Sequence, residues 1–464
     1  MIYGVALILS VLILSSIALY FFLKGQIRWS LIVTLILGIG LRVYCSLDGR
    51  LHDWDERYHA LVAKNMIEQP FKPMLYKNPV LPFDYKNWDS NHIWLHKQPV
   101  PLWLMSLSIY LFGTNVLAVR LVSIIFSSLL ILVIFDLGKE LFNKKIGLIS
   151  AFLFAINGFV LEIGSGRAST DHVELAFLFF TSIAIWFTVI GTKRQSYLFA
   201  FLVGITTGLA ILSKWLPALI VLPIWFFLAM YYKQTYTFII KTLLIICSIT
   251  FFISFPWQWY ILNTFPIEAN YEYAYNARHI TEVLGTDESH FLYNIKHLRI
   301  KFGEYLYFPM LVLCIFIIKK WRLPDNYKLL MFWVWIFIPL IFFSFVKTKM
   351  PGYILFTLPA LYLITAYVWY FFNRKYYKNL YFKILSIILL FVLPLRYTFE
   401  RVKPFNYRIS RSYDEKYDTK SIVFNDPYNI ETMFFTDCYA SYPYAPEQKV
   451  IDSLNNAGFK VIVK

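Results

Sequence analysis

Runs of apolar residues near the length that crosses a lipid bilayer recur along most of the chain. A helix needs about 20 apolar residues to span roughly 30 Å of hydrocarbon. Only 16% of the residues are charged, against about 25% in an average soluble domain. The pattern predicts a polytopic α-helical membrane protein. The runs lie at residues 2–23, 29–46, 116–137, 146–163, 172–190, 197–212, 216–231, 237–262, 304–318, 329–346, 352–371 and 381–395.

The connectors between these runs alternate in character, which predicts the side of the membrane that each one occupies. One set is short and basic, as cytoplasmic loops are, since Lys and Arg are enriched there. Its basic residues are Lys24, Arg28, Lys144, Lys145, Lys193, Arg194, Lys233, Lys319, Lys320, Arg322, Arg374, Lys375 and Lys378. We expect the other set outside, at residues 47–115, 164–171, 213–215, 263–303, 347–351 and 396–464. The alternation gives about twelve spans with both termini outside.

Two segments need separate interpretation. The apolar stretch 101–112 is short, and counting it as a span would break the alternation, so we expect a helix in the outer interface. The N-terminal run lacks a basic start and a small-residue cleavage site, so we interpret it as a retained span. We therefore divide the chain into a transmembrane domain, residues 1–395, with outer loops 47–115 and 263–303, and a small extracytoplasmic region, residues 396–464.

Composition also excludes several classes of partner. The net charge of +16 sits in short clusters between apolar runs, which is a topology signal and not a nucleic-acid signature. Some of the excess positive charge favours anionic membrane lipids or a phosphate-bearing substrate. The chain contains no phosphate-binding or dinucleotide-binding glycine motif, so we expect no nucleotide partner. The four cysteines follow no disulfide or metal-binding spacing.

Asp55 and Glu56 form an acidic pair in the first outer loop, directly after two apolar runs. Ionisable residues placed against a membrane are functional candidates by default. The spacing of apolar residues predicts an amphipathic helix from Asp55 to Ile67 that lies flat on the membrane, with Asp53 as its cap. The alternative is that the two carboxylates only complement the helix dipole.

Two further outer segments carry candidates. Lys97 precedes a pair of prolines that impose an extended entry into the next apolar helix. It could bind a lipid phosphate as a point charge or simply extend to the interface. Asp171 begins an apolar run after a glycine-containing turn, so it could act in the site or serve only as an N-cap. Arg167 in that turn could bind an anion or sit at the interface.

Residues 271–280 are dense in tyrosine, which indicates either an interfacial belt or a surface on which a sugar stacks. Arg278 and His279 in this segment could contact phosphate or a metal, although a single histidine is more often only polar surface. Lys349 lies in a second basic outer loop, against the positive-inside trend, so its charge favours a functional role. In the C-terminal region, residues 421–424 and 460–463 are predicted strands, and residues 446–456 are a predicted helix that Gly458 ends.

The order of these motifs resembles a known family of membrane enzymes. The acidic pair is followed by Lys-x-Pro-x-Pro-Leu, Phe-Gly-x-Asn-x-x-Ala-x-Arg-Leu, Arg-Ala-Ser-Thr-Asp, Leu-Ser-Lys-Trp, Arg-His-Ile and Thr-Lys-Met-Pro-Gly-Tyr. This order resembles the C-type (GT-C) membrane glycosyltransferases, in particular the protein-mannosyltransferase-like group that includes the aminoarabinose transferases acting on lipid A. The resemblance covers about residues 50–372 and extends weakly into the tail.

The resemblance implies a GT-C-like fold and a function. A sugar would move from a polyprenyl-phosphate donor to an acceptor at the outer face of the membrane, with inversion at the anomeric carbon. The acceptor would be a lipid A-like glycolipid, another glycan or a protein, and the location a bacterial inner membrane with the site facing the periplasm or cell exterior. The implied catalytic residues are Asp55, Glu56 and Asp171; the implied phosphate-binding residues are Lys97, Lys349 and Arg278; and the implied substrate contacts are Arg57, Tyr58, His279 and Tyr353.

Three alternatives stay open on the residues alone. No cofactor is required, but a divalent metal near Glu56 or His279 would suit their chemistry. A polytopic transporter of a polyprenyl-linked sugar or envelope glycan precursor would share the composition, although transporters place broken or charged helices near the bilayer midplane. A non-catalytic envelope scaffold would also fit the composition but leaves Asp55, Lys97 and Lys349 unexplained.

Overall fold

The computed structural model describes residues 2–168, 171–284, 290–319, 326–376, 378–402 and 417–464. Its α-helices are α1 (Ile2–Leu23), α2 (Ile27–Cys45), α3 (Asp55–Met66), α4 (Pro99–Phe112), α5 (Val116–Leu141), α6 (Lys144–Ala155), α7 (Gly158–Gly164), α8 (His172–Arg194), α9 (Tyr197–Lys214), α10 (Val221–Tyr231), α11 (Tyr236–Thr264), α12 (Pro266–Thr281), α13 (Tyr293–Phe302), α14 (Tyr307–Lys319), α15 (Asn326–Phe345), α16 (Leu358–Lys375), α17 (Leu380–Ile387), α18 (Leu393–Arg401), α19 (Asn429–Phe435) and α20 (Gln448–Asn456). Short 3-10 turns lie at Leu216–Ile220, Glu304–Leu306 and Leu355–Thr357, and one π-helical turn at Ile388–Val392. Three strands complete the described structure, β1 (Ser421–Phe424), β2 (Ala440–Ser441) and β3 (Lys460–Val463).

The predicted class, a polytopic helical membrane protein, is confirmed. Across the described ranges, nine helices are long and apolar enough to cross a membrane, or eleven if each of two bent pairs is one span. The predicted run 146–163 is one such pair, α6 and α7, bent by 52°, and the run 304–318 belongs to the other, bent by 112°. The run 216–231 forms a shorter apolar helix that starts with a 3-10 turn.

Helices α5 and α6 pack with their backbones in direct contact. A Cβ added to Gly138 would lie 2.4 Å from the Cα of Gly147, which leaves no room for a side chain at that crossing. Small residues allow membrane helices to approach closely and gain van der Waals contact where lipid provides no hydrophobic driving force. This close pair forms part of the main buried cluster, which also takes in α8, α10, α15 and α16.

Helix α3 departs from the prediction in two ways. Eight of its twelve residues are buried, and it packs against α4 and α19, so protein encloses a helix that we expected to lie flat on the membrane. The predicted cap was also wrong. The residue before the helix is Trp54, with φ of 78°, and no side chain caps the first turn. The positive φ turns the chain sharply into Asp55.

The C-terminal region contains the predicted elements. Strands β1 and β3 have the predicted bounds, and α20 falls within the predicted helix, followed by Gly458 at φ of +86°. Residues 440–441 add a strand that was not predicted, and the parallel sheet has the order β2-β1-β3. Helices α12 and α13 occupy most of the described part of the predicted outer connector 263–303.

Candidate active site

Asp55 and Lys97 face each other across the start of two helices. Asp55 is the first residue of α3, and Lys97 stands two residues before α4, which begins at Pro99. Proline is favoured at this first helical position because it lacks an N–H that would be unpaired there. The Lys97 Nζ lies 3.5 Å from an Asp55 carboxylate oxygen, and the two side chains are 22% and 19% exposed. The two side chains are therefore close together and partly accessible to a ligand.

Asp171 caps α8 and also binds a histidine of α3. Its Oδ1 accepts a long 3.4 Å hydrogen bond from the Val173 backbone N–H, so the predicted N-cap exists. Its Oδ2 lies 2.7 Å from Nδ1 of His59, and both side chains are buried. Burial alone would raise the pKa of Asp171, but the charges of His59, His172 and Lys97 outweigh it and hold the pKa below its ordinary value.

The same charges act on Lys97. Burial would lower the pKa of its ammonium, but Asp55, Asp171 and Glu174 raise it above its ordinary value. An ammonium among carboxylates stays protonated, so Lys97 keeps the positive charge that attracts a phosphate oxygen. The arrangement suits a cation that contacts an incoming phosphate.

Asp55, His59 and Asp171 also form a group that could hold a metal ion. One donor atom from each lies within 4.8 Å of the others, and two carboxylates with an imidazole are ligands that divalent ions accept. The metal was predicted near Glu56 or His279, and this group contains neither. Glu56 is hydrogen-bonded elsewhere, and Nδ1 of His279 lies 3.0 Å from the Tyr275 carbonyl oxygen.

Glu56 lies in a buried ionic network. The guanidinium of Arg120 donates to both of its oxygens at 2.7 and 2.9 Å, and the His52 backbone N–H donates to Oε2 at 2.6 Å. His172 lies 3.2 Å from Oε1. Burial opposes the charge, but Arg120 and His172 hold the pKa of Glu56 far below its ordinary value. With its oxygens accepting from these partners, Glu56 is built to orient α3.

The network continues through Asp48 to the turn before α8. Arg120 pairs with Asp48, and so does Arg167 at 3.0 Å. Arg167 is thus held by a carboxylate and by the Cys45 carbonyl. Gly166 completes the contact, because its φ is +73° and an added Cβ would lie 2.2 Å from the Glu56 carboxylate. Ser169 and Thr170 of the predicted turn lie outside the described residues.

A second lysine, Lys214, stands close to this centre. It ends α9, pairs with Glu174 of α8, and lies 4.8 Å from the ring centre of Tyr353. Its electrostatic neighbours include Lys97 and Asp55. Tyr353, predicted as a substrate contact, therefore belongs to the surroundings of this lysine.

Lys349 and Arg278, two predicted phosphate ligands, have other partners in the structure. Lys349 is buried and donates to the carbonyls of Phe343 and Ser344 at 2.8 and 2.7 Å and to that of Val346. An ammonium has three N–H donors, and these bonds use all of them. Arg278 is half-exposed and pairs with Glu282 one turn away, at 2.8 Å.

The tyrosine-rich segment forms helix α12, and its end joins the loop that contains Lys349. The backbone N–H groups of Lys347 and Thr348 donate to the carbonyls of Ile280 and His279 at 3.1 and 3.0 Å. Near the middle of α12, Glu272 lies 3.3 Å from His96, the neighbour of Lys97. Helix α12 therefore contacts both predicted phosphate-binding loops, one from its middle and the other from its C-terminal end.

Arg57 and Tyr58, predicted as substrate contacts, turn toward the C-terminal region and the first loop. Arg57 lies 3.6 Å from the Glu431 carboxylate. The ring of Tyr58 packs edge-on against Trp88, with 4.6 Å between ring centres. At about 100° per residue, Arg57 lies on the reverse side of α3 from Asp55, whereas Tyr58 lies only about 60° from Asp55.

The sequence interpretation assigned no role to three residues that the structure brings into the centre. His59 follows Asp55 by four residues, the spacing that places two side chains on one helix face. Arg120 is a charge inside an apolar run and stands in the Phe-Gly-x-Asn motif, and either signal marks it. Lys214 was present in the Leu-Ser-Lys-Trp motif.

Several known proteins are similar to this chain in sequence. Residues 96–260 match the family described as dolichyl-phosphate-mannose-protein mannosyltransferase. An undecaprenyl phosphate-α-4-amino-4-deoxy-L-arabinose arabinosyl transferase of Pseudomonas savastanoi is 28% identical over 306 residues, which cover 60% of this chain and 53% of that protein. A second such transferase, of Pseudomonas fluorescens, is 24% identical over 71% of this chain and 57% of its own length. The chain therefore spans about half the length of the curated relatives it matches.

Solved structures share the fold. ArnT from Cupriavidus metallidurans bound to undecaprenyl phosphate has a TM-score of 0.56 at 17% identity, covering 73% of this chain and 59% of that one. The archaeal oligosaccharyltransferase AglB from Archaeoglobus fulgidus has a TM-score of 0.58 at 14% identity, covering 90% of this chain and 65% of that one. The resemblance drawn from the sequence is confirmed: the chain has the fold of the C-type membrane glycosyltransferases, and its residues 96–260 match their protein-mannosyltransferase family.

Proposed function

We propose that this protein is a glycosyltransferase that moves a sugar from a polyprenyl phosphate to an acceptor at the membrane surface. The observation that carries the proposal is the partly exposed pair of Asp55 and Lys97, 3.5 Å apart, beside the buried Asp171 and His59. A carboxylate and an ammonium in one opening meet the two needs of the reaction, a proton acceptor and a cation for the leaving phosphate.

In this mechanism the acceptor hydroxyl attacks the anomeric carbon from the side opposite the phosphate. The new bond joins the acceptor oxygen to that carbon, and the bond from the carbon to the phosphate oxygen breaks. Asp55 takes the hydroxyl proton. Lys97 neutralises the polyprenyl phosphate that leaves, and the displacement inverts the anomeric centre. General-base assistance of this kind contributes about 10²- to 10⁴-fold in rate.

Asp171 and Glu56 support this step without taking the proton themselves. Asp171 is held by His59 and by the start of α8, so its charge is fixed beside Lys97. Glu56 fixes the roll of α3 through Arg120. Both residues were implied as catalytic by the family resemblance, and their contacts favour an orienting role.

For the phosphate, the contacts favour Lys214 over Lys349 as the partner of Lys97. Lys214 interacts electrostatically with both Lys97 and Asp55 and pairs with Glu174, whereas all three N–H groups of the Lys349 ammonium donate to backbone carbonyls. Lys349 then shapes the loop that presents Tyr353. Arg278 and His279 remain candidates at the end of α12, from which Arg278 could reach a bound phosphate by leaving Glu282.

For the substrates, we propose a sugar carried on a bacterial polyprenyl phosphate, because the curated relatives are named for an aminoarabinose on undecaprenyl phosphate. The acceptor would be a lipid A-like glycolipid, another glycan or a protein. The location would be the bacterial inner membrane, with the site on the face opposite the cytoplasm, since Asp55, Lys97 and Asp171 lie in segments placed outside by the distribution of basic loops.

The test is transfer from a panel of radiolabelled polyprenyl-phosphate sugars in membranes that contain the protein. Wild type is compared with Asp55→Asn and, as a matched control, with Asp84→Asn, which removes an exposed carboxylate in the same loop. Transfer by wild type and by Asp84→Asn, reduced at least 100-fold in Asp55→Asn, supports the proposal. Equal transfer by all three removes Asp55 from the mechanism, and no transfer from any donor contradicts the transferase function.

A further inference from the structure

Helix α3 has two opposite faces with different partners. At 3.6 residues per turn, successive residues are about 100° apart, so Asp55 and His59 lie within about 40° of each other. Arg57 and Lys64 lie roughly 180–200° from Asp55, on the reverse side of the helix. The front face therefore carries the reaction centre, and the back face contacts the C-terminal region.

Lys64 is the strongest contact on the back face. Its Nζ donates to the backbone carbonyls of Met433, Phe434 and Thr436 at 3.0, 2.7 and 3.0 Å. These carbonyls lie in the last turn of α19 and at Thr436, the residue that follows it. The last carbonyl groups of a helix have no hydrogen-bond partners within the helix, and this end carries partial negative charge. All three donors of the ammonium are thus used on one helix end.

Other contacts join the same two parts of the chain. Arg57 pairs with Glu431, and Asn429 donates to the Tyr76 hydroxyl at 2.8 Å. The hydroxyl of Tyr442 accepts from the backbone N–H groups of Val80 and Leu81 at 2.9 and 3.3 Å. A single buried apolar cluster contains residues of α3, the first loop and the C-terminal sheet. Hydrogen bonds, an ion pair and apolar contacts therefore join the C-terminal region to α3 and to the loop that leads to Lys97.

We infer that the C-terminal region, through Lys64, is a positioning element of the reaction centre. This inference rests on the proposed transferase function. Glu56 restrains the roll of α3 from one side through Arg120, and Lys64 restrains it from the back. A rotation of α3 about its axis would move Asp55 away from Lys97, and in this proposal the C-terminal region acts through α3.

Lys64 can be replaced by a residue that keeps its positive charge and its hydrogen bonds, or by one that loses both. Arginine keeps a cation and several N–H donors, so Lys64→Arg can still bind the end of α19, whereas Lys64→Met keeps only the apolar stem. Lys77→Met is the matched control, because Lys77 is a lysine of the first loop that is 36% exposed and pairs only with Glu68 among the ion pairs of the described residues.

The experiment measures two properties of the full-length protein in detergent or lipid. One is the transfer rate, separated into kcat and KM, and the other is hydrogen exchange at the amides of residues 55–66 and 429–435. We expect Lys64→Met to lower kcat at least tenfold, to leave the donor KM within twofold, and to speed exchange at least tenfold in both segments. Lys64→Arg should recover most of both properties, and Lys77→Met should match wild type.

Two results would overturn the inference. Faster exchange in Lys64→Met with an unchanged kcat would reduce the contact to a stabilising one. Unchanged exchange in both segments would remove Lys64 from the restraint on α3. If wild type transfers no sugar at all, the proposed function fails. The comparison of hydrogen exchange at residues 55–59 between wild type and Lys64→Met then still decides whether Lys64 restrains α3.

Discussion

The imidazole Nδ1 of His59 lies 2.7 Å from the Oδ2 of Asp171, and both side chains are buried. The contact joins the helix that begins with Asp55 to the helix that begins after Asp171. Since Asp55 also pairs with Lys97, three separate segments meet within one small volume. The pairing between α3 and α8 is therefore what brings the carboxylates and the lysine of the proposed reaction together.

Removal of the charge of Glu56 should chiefly lower the stability of the protein, because Glu56 has a structural role. In Glu56→Gln the buried Arg120 keeps its charge but loses the carboxylate that it contacts at 2.7 Å. Breaking a buried pair in this way costs about 3–5 kcal/mol. We expect a large loss of thermal stability in detergent, and a smaller loss in Asp55→Asn, because the Asp55 carboxylate is partly exposed and pairs with Lys97 at the longer distance of 3.5 Å. Equal stability of the two variants would contradict the structural role of Glu56.

Stability should also fall in acid through Asp48. Burial would raise the pKa of this carboxylate, but His52, Arg120 and Arg167 lower it from 3.8 to about 2. A folded-state pKa below the unfolded value stabilises the protein above pH 3.8, and this contribution is lost as the pH falls through about 2. The shift corresponds to about 2 kcal/mol. The difference in unfolding free energy between wild type and Asp48→Asn should therefore shrink between pH 5 and pH 2, and a constant difference would contradict the assignment.

A side chain at Gly166 should destabilise the protein because it would clash with Glu56, and Gly25 provides a control without such a clash. Gly166 and Gly25 have nearly equal φ values of +73° and +75°, but an added Cβ meets the Glu56 carboxylate only at Gly166 and nothing within 4 Å at Gly25. Both alanine variants should lose about 1 kcal/mol to backbone strain. Gly166→Ala should lose at least about 1–3 kcal/mol more by disturbing the packing of Glu56, as thermal unfolding would measure. Equal losses would show that Glu56 moves aside freely.

The two lysines that the sequence assigned to phosphate should respond differently to removal. Lys97→Met should lower kcat/KM for the donor by about 10²–10³, which is typical of losing one group that stabilises developing negative charge, with little loss of stability. Lys349→Met should chiefly destabilise, because three backbone carbonyls near the end of α15 lose their donor. Thermal unfolding and donor kinetics on both variants separate the roles. A purely kinetic effect of Lys349→Met would return that residue to the phosphate site.

Much of this arrangement could be predicted from local sequence patterns. The apolar runs predicted the membrane helices because a bilayer of fixed thickness demands a certain length of apolar residues. Asp55, Lys97 and Asp171 stood out because each is charged beside an apolar run, where a charge needs a reason. The strands β1 and β3 followed from short runs of β-branched and aromatic residues bounded by polar segments.

The pairings among these residues were decided by the tertiary structure. Glu56 meets Arg120 across 64 residues, and His59 meets Asp171 across 112; no local periodicity specifies such contacts. Asp55 and Glu56 are neighbours in sequence, but a helix turns by about 100° between them. Asp55 therefore pairs with the partly exposed Lys97, and Glu56 with the buried Arg120. The sequence by itself determined that this chain is a membrane-embedded helical protein with charged residues at the ends of its helices. Only the packing of α3 against α4 and α19, together with the contact of His59 with Asp171, decided which of those charges are accessible to a ligand and which hold the structure in place.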